Sequence, residues 1–305
     1  MNRIKYAGLV VFTTFLMGVA FPVGKIGLAY GTPLLIMGIR FVLAGALLAM
    51  FTAKRPQPRG WRQWGKIAAI GALQTAGVMG CAYTGMRWIT SGESAILIFV
   101  NPLLVIVLGT LFAGARYRMR QWLGVAVGSF GLALAFGLRL HLQPGTWIAL
   151  AGGFSFAAAT LLVKRWGPAF DTAVLTAYQM LAGGLLLLLF SAAAERPRIE
   201  WNLTVAAVIV WLAIMCSIVQ FAAWFYLLQH SDPARTSAFL FLAPLFGVAA
   251  GWLMLGEQPT WHVWAGGGLI GIGIMLVNGR FRTGRPQPRD LPTARAESFG
   301  GTEEY

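Results

Sequence analysis

SAILIFVNPLLVIVLGTLFAGAR, residues 94–116, decides the fold once TSAFLFLAPLFGVAAGWLMLGEQ, residues 236–258, is set beside it. Each is a long apolar run interrupted by one proline and closed by a glycine. A shift of 142 positions carries Pro102 onto Pro244, Gly114 onto Gly256, Trp122 onto Trp264, Gly124 onto Gly266 and Gly131 onto Gly273. Nearer the N-terminus a shift of 139 carries Lys25 onto Lys164, Arg40 onto Gln179, Ala44 onto Gly183 and Phe51 onto Phe190. The chain therefore reads as one unit written twice, over residues 1–140 and 145–280. Residues 281–305 are polar, rich in Pro and Gly and without apolar periodicity, which predicts a disordered cytoplasmic tail.

The 305 residues are 57% hydrophobic and 11% charged, against about 25% charged in soluble domains. Apolar runs recur at 6–29, 33–53, 66–87, 93–113, 120–138, 146–166, 172–193, 203–229, 234–255 and 260–279. Their length, about 20 residues, matches a helix crossing about 30 Å of hydrocarbon. In lipid the backbone must satisfy its own hydrogen bonds, and strands would be shorter and alternating, so these runs predict helices. The expected fold is an all-α integral membrane protein of ten transmembrane helices. Five spans per unit is an odd number, so the second copy enters the bilayer inverted, as in many secondary transporters with a site between the halves. Arg3, Lys5 and the Gly18-Val19-Ala20 string resemble a cleavable leader. The apolar run continues past Ala20, however, and its removal would unbalance the repeat, so it reads as a retained span.

A net charge of +14 raises nucleic acid as a partner, but the distribution argues for a bilayer. With ten spans, 18 of the 24 Lys and Arg lie on the side of both termini, five on the other, and Arg40 within a span. The positive-inside rule then puts both termini in the cytoplasm, with anionic headgroups against the basic loops.

Enzymatic chemistry has little footing. There is no Ser/His/Asp set at membrane depth, no HExxH, no phosphate-cradling loop and no paired carboxylate, so no catalytic residue is assigned and no enzyme is expected. Cys81 and Cys216 are isolated and read as packing thiols, and no metal or cofactor is implied. The ten acidic residues fall at span ends, in loops or in the tail. Coupled carriers often place such a group deep in the bundle, so its absence points to facilitated diffusion or exchange of a small-molecule substrate.

Polar and aromatic groups concentrate in spans 3, 4, 8 and 9. Gln74, Met79, Tyr83, Phe99, Asn101, Gln220, Trp224 and Phe241 are the expected substrate-binding residues, because an aromatic wall with a few amides suits a small amphipathic solute. Pro102 and Pro244, at matched positions, are the expected bending gates. Arg40, about 10 Å inside span 2, reads either as a counter-charge for a substrate carboxylate or, the preferred reading, as a structural donor to span-end carbonyls or to Glu93. Lys25 lies near a span end and snorkels. His230 beside Asp232 reads as a helix-terminal histidine rather than a proton shuttle. Glycine faces in spans 5 and 10 serve packing within the chain or a homodimer, leaving monomer and homodimer both open.

These motifs resemble the drug/metabolite transporter superfamily, in its ten-span EamA type, over nearly all of residues 6–280. The matching strings are Gly18-Val-Ala-Phe-Pro-Val-Gly-Lys25, Gly38-Ile-Arg-Phe41, Ser94-Ala95 with Asn101-Pro102, Thr236-Ser-Ala with Ala243-Pro244, and Leu255-Gly256-Glu257. Two departures are Met17-Gly18 where the family often has Trp-Gly, and Gly114-Ala115-Arg116 where Gly-Glu-Arg is common. The resemblance implies export of small metabolites, often amino acids, across a bacterial inner membrane, as in exporters of the YddG kind. It also implies a basket of helices whose cavity is lined by spans 1, 3, 4, 6, 8 and 9, with spans 5 and 10 peripheral.

Overall fold

The computed structural model describes residues 3–89, 91–114, 117–135, 143–255 and 261–278. The expected tail, the linker around residue 140 and Gly256-Glu257 lie outside the described residues. Among the described residues every regular element is a helix, and the single sheet-like contact is an isolated bridge between Gly31 and Ile199.

The helices are α1 (Arg3–Leu28), α2 (Pro33–Thr52), α3 (Trp61–Gly85), α4 (Ser91–Phe99 and Asn101–Ala113), α5 (Met119–Ala135), α6 (Pro144–Trp166), α7 (Thr172–Ala194), α8 (Leu203–His230), α9 (Pro233–Ala238, Phe239–Phe241 and Leu242–Leu255) and α10 (Trp261–Asn278). Among the described residues seven of them, α1–α3 and α6–α9, are long and apolar enough to cross a membrane. Shorter apolar helices run over Leu97–Phe112 and Trp264–Val277. Their starts follow local chemistry. Pro33 opens α2, where its missing N–H is no loss. The Asn202 side chain accepts from Val205 N at 2.8 Å to cap α8. Gly114 ends α4 at φ +61°, a conformation glycine adopts without strain.

Three features depart from the sequence reading. First, α3 begins at Trp61 rather than 66. Its opening turns expose Trp61, Arg62, Trp64 and Lys66 while burying Ile67 and Ile70. Such interfacial turns are helical without being apolar, so hydropathy alone starts the span late. Second, the prolines do not merely bend their helices. α4 stops at Val100 and restarts with Pro102 in its first turn, and α9 tightens to a 3₁₀ turn over Phe239–Phe241 just before Pro244. Third, α3 and α8 each contain a π-helical turn, Ala72–Gly77 and Ile214–Val219. These lie 142 positions apart, start for start and end for end. In both, the closing amide reaches back five residues: Val78 N to Leu73 O, and Gln220 N to Met215 O.

Packing pairs α2 with α7 and α5 with α10, while α1 lies along α8 and α9 and α6 along α3 and α4. Lipid supplies no hydrophobic drive between helices, so close backbone approach does the work. A methyl added at Gly124 would stand 2.8 Å from the Gly273 carbonyl, and one at Gly131 2.8 Å from that of Gly266. Gly124 and Gly131 of α5 thus lie against Gly273 and Gly266 of α10. The central cavity is lined by α1, α3, α4, α6 and α8.

Candidate functional site

At the centre a cavity opens between Met17, Ala20 and Phe21 of α1, Gln74, Val78, Met79 and Tyr83 of α3, Phe99 of α4, Phe156 of α6, and Gln220 and Phe221 of α8. About 440 Å³ lies outside atoms there, but the walls stand close and leave room for on the order of one water molecule. Phe21 stacks on Tyr83 at 6.3 Å between centroids and tilts against Phe99 at 5.6 Å. Two amides interrupt this apolar wall. Gln74 is 1% exposed and its Oε1 has no hydrogen-bond partner; Gln220 is 2% exposed. No charged side chain lines the cavity.

Both amides sit on the π turns, Gln74 within the first and Gln220 directly after the second. One extra residue in a turn rotates all later side chains by about a quarter turn relative to a regular helix.

The nearest ion is Arg40, fully buried one layer behind the wall. Its Nε donates to Ser217 Oγ at 2.9 Å and its Nη2 to the Cys216 carbonyl at 2.7 Å, both inside the second π turn. Its guanidinium carbon lies 4.6 Å from the centroid of Phe41, which packs edge-on against cavity residue Phe221 at 5.8 Å. These partners are groups in mid-helix rather than carbonyls at a span end; the side chain of Glu93, the other expected partner, lies outside the described residues. A π turn leaves carbonyls poorly shared, and these attract a buried donor.

Of the eight expected binding residues, Gln74, Met79, Tyr83, Phe99 and Gln220 meet in this one cavity. Asn101, Trp224 and Phe241 are fully buried outside its wall. Both amide atoms of Asn101, the Trp224 Nε1 and the Ser237 Oγ lack hydrogen-bond partners. All three polar residues lie to one side of the cavity, beyond Phe99 on α4, beyond Phe221 on α8, and at the start of α9. On that side the Tyr6 hydroxyl meets Thr236 Oγ1 at 3.1 Å and the Tyr6 ring meets Phe239. On the other side Tyr83 donates to the Ala20 carbonyl at 2.9 Å with its ring against Gly24, where a methyl would collide with it. Lys25 is exposed, and His230 bonds the Tyr226 carbonyl at 2.9 Å at the end of α8. The apolar lining residues carry no sequence signal of their own, apart from Phe21 beside Pro22 within the first helix.

The sequence also gives no sign of how deeply Glu195 is buried. Its side chain is 1% exposed. It accepts from Arg87, from Ser191 Oγ at 3.1 Å and from Leu34 N at 3.2 Å, so the end of α7 caps the start of α2. Asp171 instead caps its own helix, accepting from Ala173 N and Val174 N and pairing with Arg55 at 2.9 Å. Partial burial acts to raise the Asp171 pKa, but the two amides and Arg55 outweigh it and hold the carboxyl below its usual value.

The EamA-like transporter family matches this chain twice, over residues 4–137 and 143–279. The chain is 26% identical over 281 residues to the uncharacterized transporter YvbV of Bacillus subtilis, covering 90% of this chain and 92% of that protein. It is 27% identical over 307 residues to the probable terminal-alkyne amino-acid exporter of Streptantibioticus cattleyicolor, covering 97% and 100%. It is 28% identical over 258 residues to the uncharacterized inner membrane transporter YedA of Escherichia coli strain K12, covering 83% and 84%. A crystal structure 19% identical in sequence superposes with a TM-score of 0.75, covering 91% of this chain and 97% of the other, a likeness of fold.

Proposed function

This multi-pass membrane chain belongs to the EamA-like transporter family, and from that premise we propose that it is a secondary transporter, not an enzyme, exporting small amino-acid-like metabolites across a bacterial inner membrane. The solute occupies the central cavity once its walls part, with Gln74 and Gln220 taking its hydrogen-bonding groups and the Phe and Met side chains its apolar part. The family's two matches, the paired prolines and the π turns at one common spacing support two inverted five-helix repeats, residues 1–140 and 145–280. The charge asymmetry supports ten spans with both termini in the cytoplasm.

The observation that carries the reading is the cavity, lined by two amides among aromatic rings and free of charged lining. Alternating access follows from the unpaired groups below it. A buried unpaired polar group costs about 1–3 kcal/mol, so Asn101, Trp224 and Ser237 favour a second state in which the Tyr6–Thr236 contact opens and solvent or solute reaches them. Pro102 and Pro244, each in the first turn of a restarted helix segment, are the points where α4 and α9 swing.

Counterflow of labelled amino acids into proteoliposomes tests this. Uptake is expected for at least one apolar or aromatic amino acid. Gln220→Ala and Asn101→Ala each lower it about fivefold, the loss of one hydrogen bond, with folded yield retained. Normal uptake by both variants removes the proposed lining, and no uptake of any amino acid by the unaltered protein removes the substrate class.

A further inference from the structure

The two π turns are held from outside by different side chains at matched positions. Gln179 of α7 accepts from Thr75 Oγ1 at 2.8 Å, within the first π turn. Arg40 of α2 grips Ser217 and the Cys216 carbonyl within the second. Arg40 and Gln179 correspond at a shift of 139, and Thr75 and Ser217 at a shift of 142. All four are buried at 0% exposure. Among the described residues no carboxylate pairs with Arg40. We propose that Arg40 and Gln179 are positioning residues, a matched pair of bolts that hold the π turns of α8 and α3 and thereby set Gln220 and Gln74 in the cavity wall. The assignment of those amides to solute binding rests on the transport reading above.

The register argument is direct. Thr75 is the residue after Gln74, so the Gln179 bond fixes the stretch of backbone that aims the Gln74 amide. Ser217 and Cys216 lie about one turn before Gln220 on the same face of α8. Without the external bond, a π turn relaxes toward an ordinary α-helical register, because its i→i+5 pattern is the less favourable one. The residues beyond it then rotate, and the amide leaves the wall. Neither bolt is among the residues that line the cavity; Gln179 acts on the solute through the turn it holds, and Arg40 through its turn and through its charge beside the wall residue Tyr83. Arg40 makes two bonds into its turn and Gln179 one, which makes the α8 turn the more firmly held.

Two measurements on the full chain test the proposal. The first needs no solute: backbone amide hydrogen exchange in detergent, followed over residues 72–78 and 214–220. Thr75→Val is expected to speed exchange about fivefold in the first segment only, the loss of one hydrogen bond. Arg40→Met speeds it in the second segment only. Arg40→Gln restores much of the protection, because a glutamine at the matched position already reaches a hydroxyl on a π turn. Unchanged exchange in both single variants overturns the bolts. The second measurement is counterflow of labelled phenylalanine with a double-mutant cycle. Thr75→Val raises KM about fivefold in the unaltered protein and adds nothing once Gln74 is Ala. Independent, additive effects overturn the positioning role. If the unaltered protein carries no phenylalanine, that failure falls on the substrate reading, and the exchange result alone upholds or overturns the bolts.

Discussion

The π turn of α3 and the π turn of α8 have the same length and the same five-residue closing bond, yet their chemistry differs at nearly every contact. The first carries a cavity amide inside it and is tied by a neutral glutamine–threonine bond. The second is followed by its amide and is tied by a guanidinium with no acidic partner among the described residues. The difference teaches that the two family-matched halves share a backbone distortion while the side chains that hold it differ. Arginine carries a rigid fork of donors, so one side chain satisfies a hydroxyl and a carbonyl together. Glutamine reaches one hydroxyl and leaves its own Nε2 unpaired.

The sharpest way to break this comparison is to remove each bolt and compare thermal stability in detergent. Arg40→Met leaves Ser217 and the Cys216 carbonyl without their donor and is expected to cost about 3 kcal/mol, against about 1 kcal/mol for Gln179→Leu. Equal losses would mean that the two turns are held alike and that the extra bonds of Arg40 add nothing.

A second contrast of the same kind lies at the N-termini of α2 and α7, which correspond at the 139 shift. The N-cap residue of α2 is Thr32, whose hydroxyl makes no capping bond, and the helix is capped across the bundle by Glu195. The N-cap residue of α7 is Asp171, which caps its own helix. Glu195→Gln removes the charge that Arg87 and Leu34 N both use, and is expected to destabilise by about 2 kcal/mol. A melting temperature within a degree of the parent would show that the Gly31–Ile199 bridge, not Glu195, joins these loops.

The smallest effect belongs to Asp171, partly open to solvent and paired with an exposed arginine. Asp171→Asn is expected to cost under about 1 kcal/mol at neutral pH and less in high salt. Its carboxyl titrates lower in the folded chain than in the unfolded one, so its contribution is present above the unfolded value near about 4. That contribution is lost as pH falls through the lower folded value. The stability gap between parent and variant should therefore close on acidification below about pH 4. A gap that stays constant with pH would place the effect in packing rather than charge.

Much of this was legible in advance, for identifiable reasons. The helix positions follow from apolar run length, because lipid permits no other backbone solution. That α4 and α9 depart from a regular helix near Pro102 and Pro244 follows from a missing N–H, although the sequence predicts a bend where α4 breaks and α9 tightens. Tyr83, Phe99 and Gln220 stood out as polar or aromatic groups where Leu and Val are the rule. The π turns carry no such mark, since Ala-Leu-Gln-Thr-Ala-Gly and Ile-Met-Cys-Ser-Ile-Val are ordinary helical strings. Asn101 and Trp224 looked like lining by type, but the face they present depends on where α4 restarts and on the rotation introduced into α8.

Composition and run length by themselves determined a helical membrane chain, and the recurring Pro and Gly positions matched its two halves, because burying backbone in hydrocarbon is a constraint every residue feels locally. Which amides reach the cavity, what satisfies the donors of Arg40 and how Glu195 comes to cap a distant helix were decided only in the tertiary structure. Those outcomes depend on helix rotation and on partners more than 100 residues away, and a one-residue change of helical register, invisible in hydropathy, is enough to alter them.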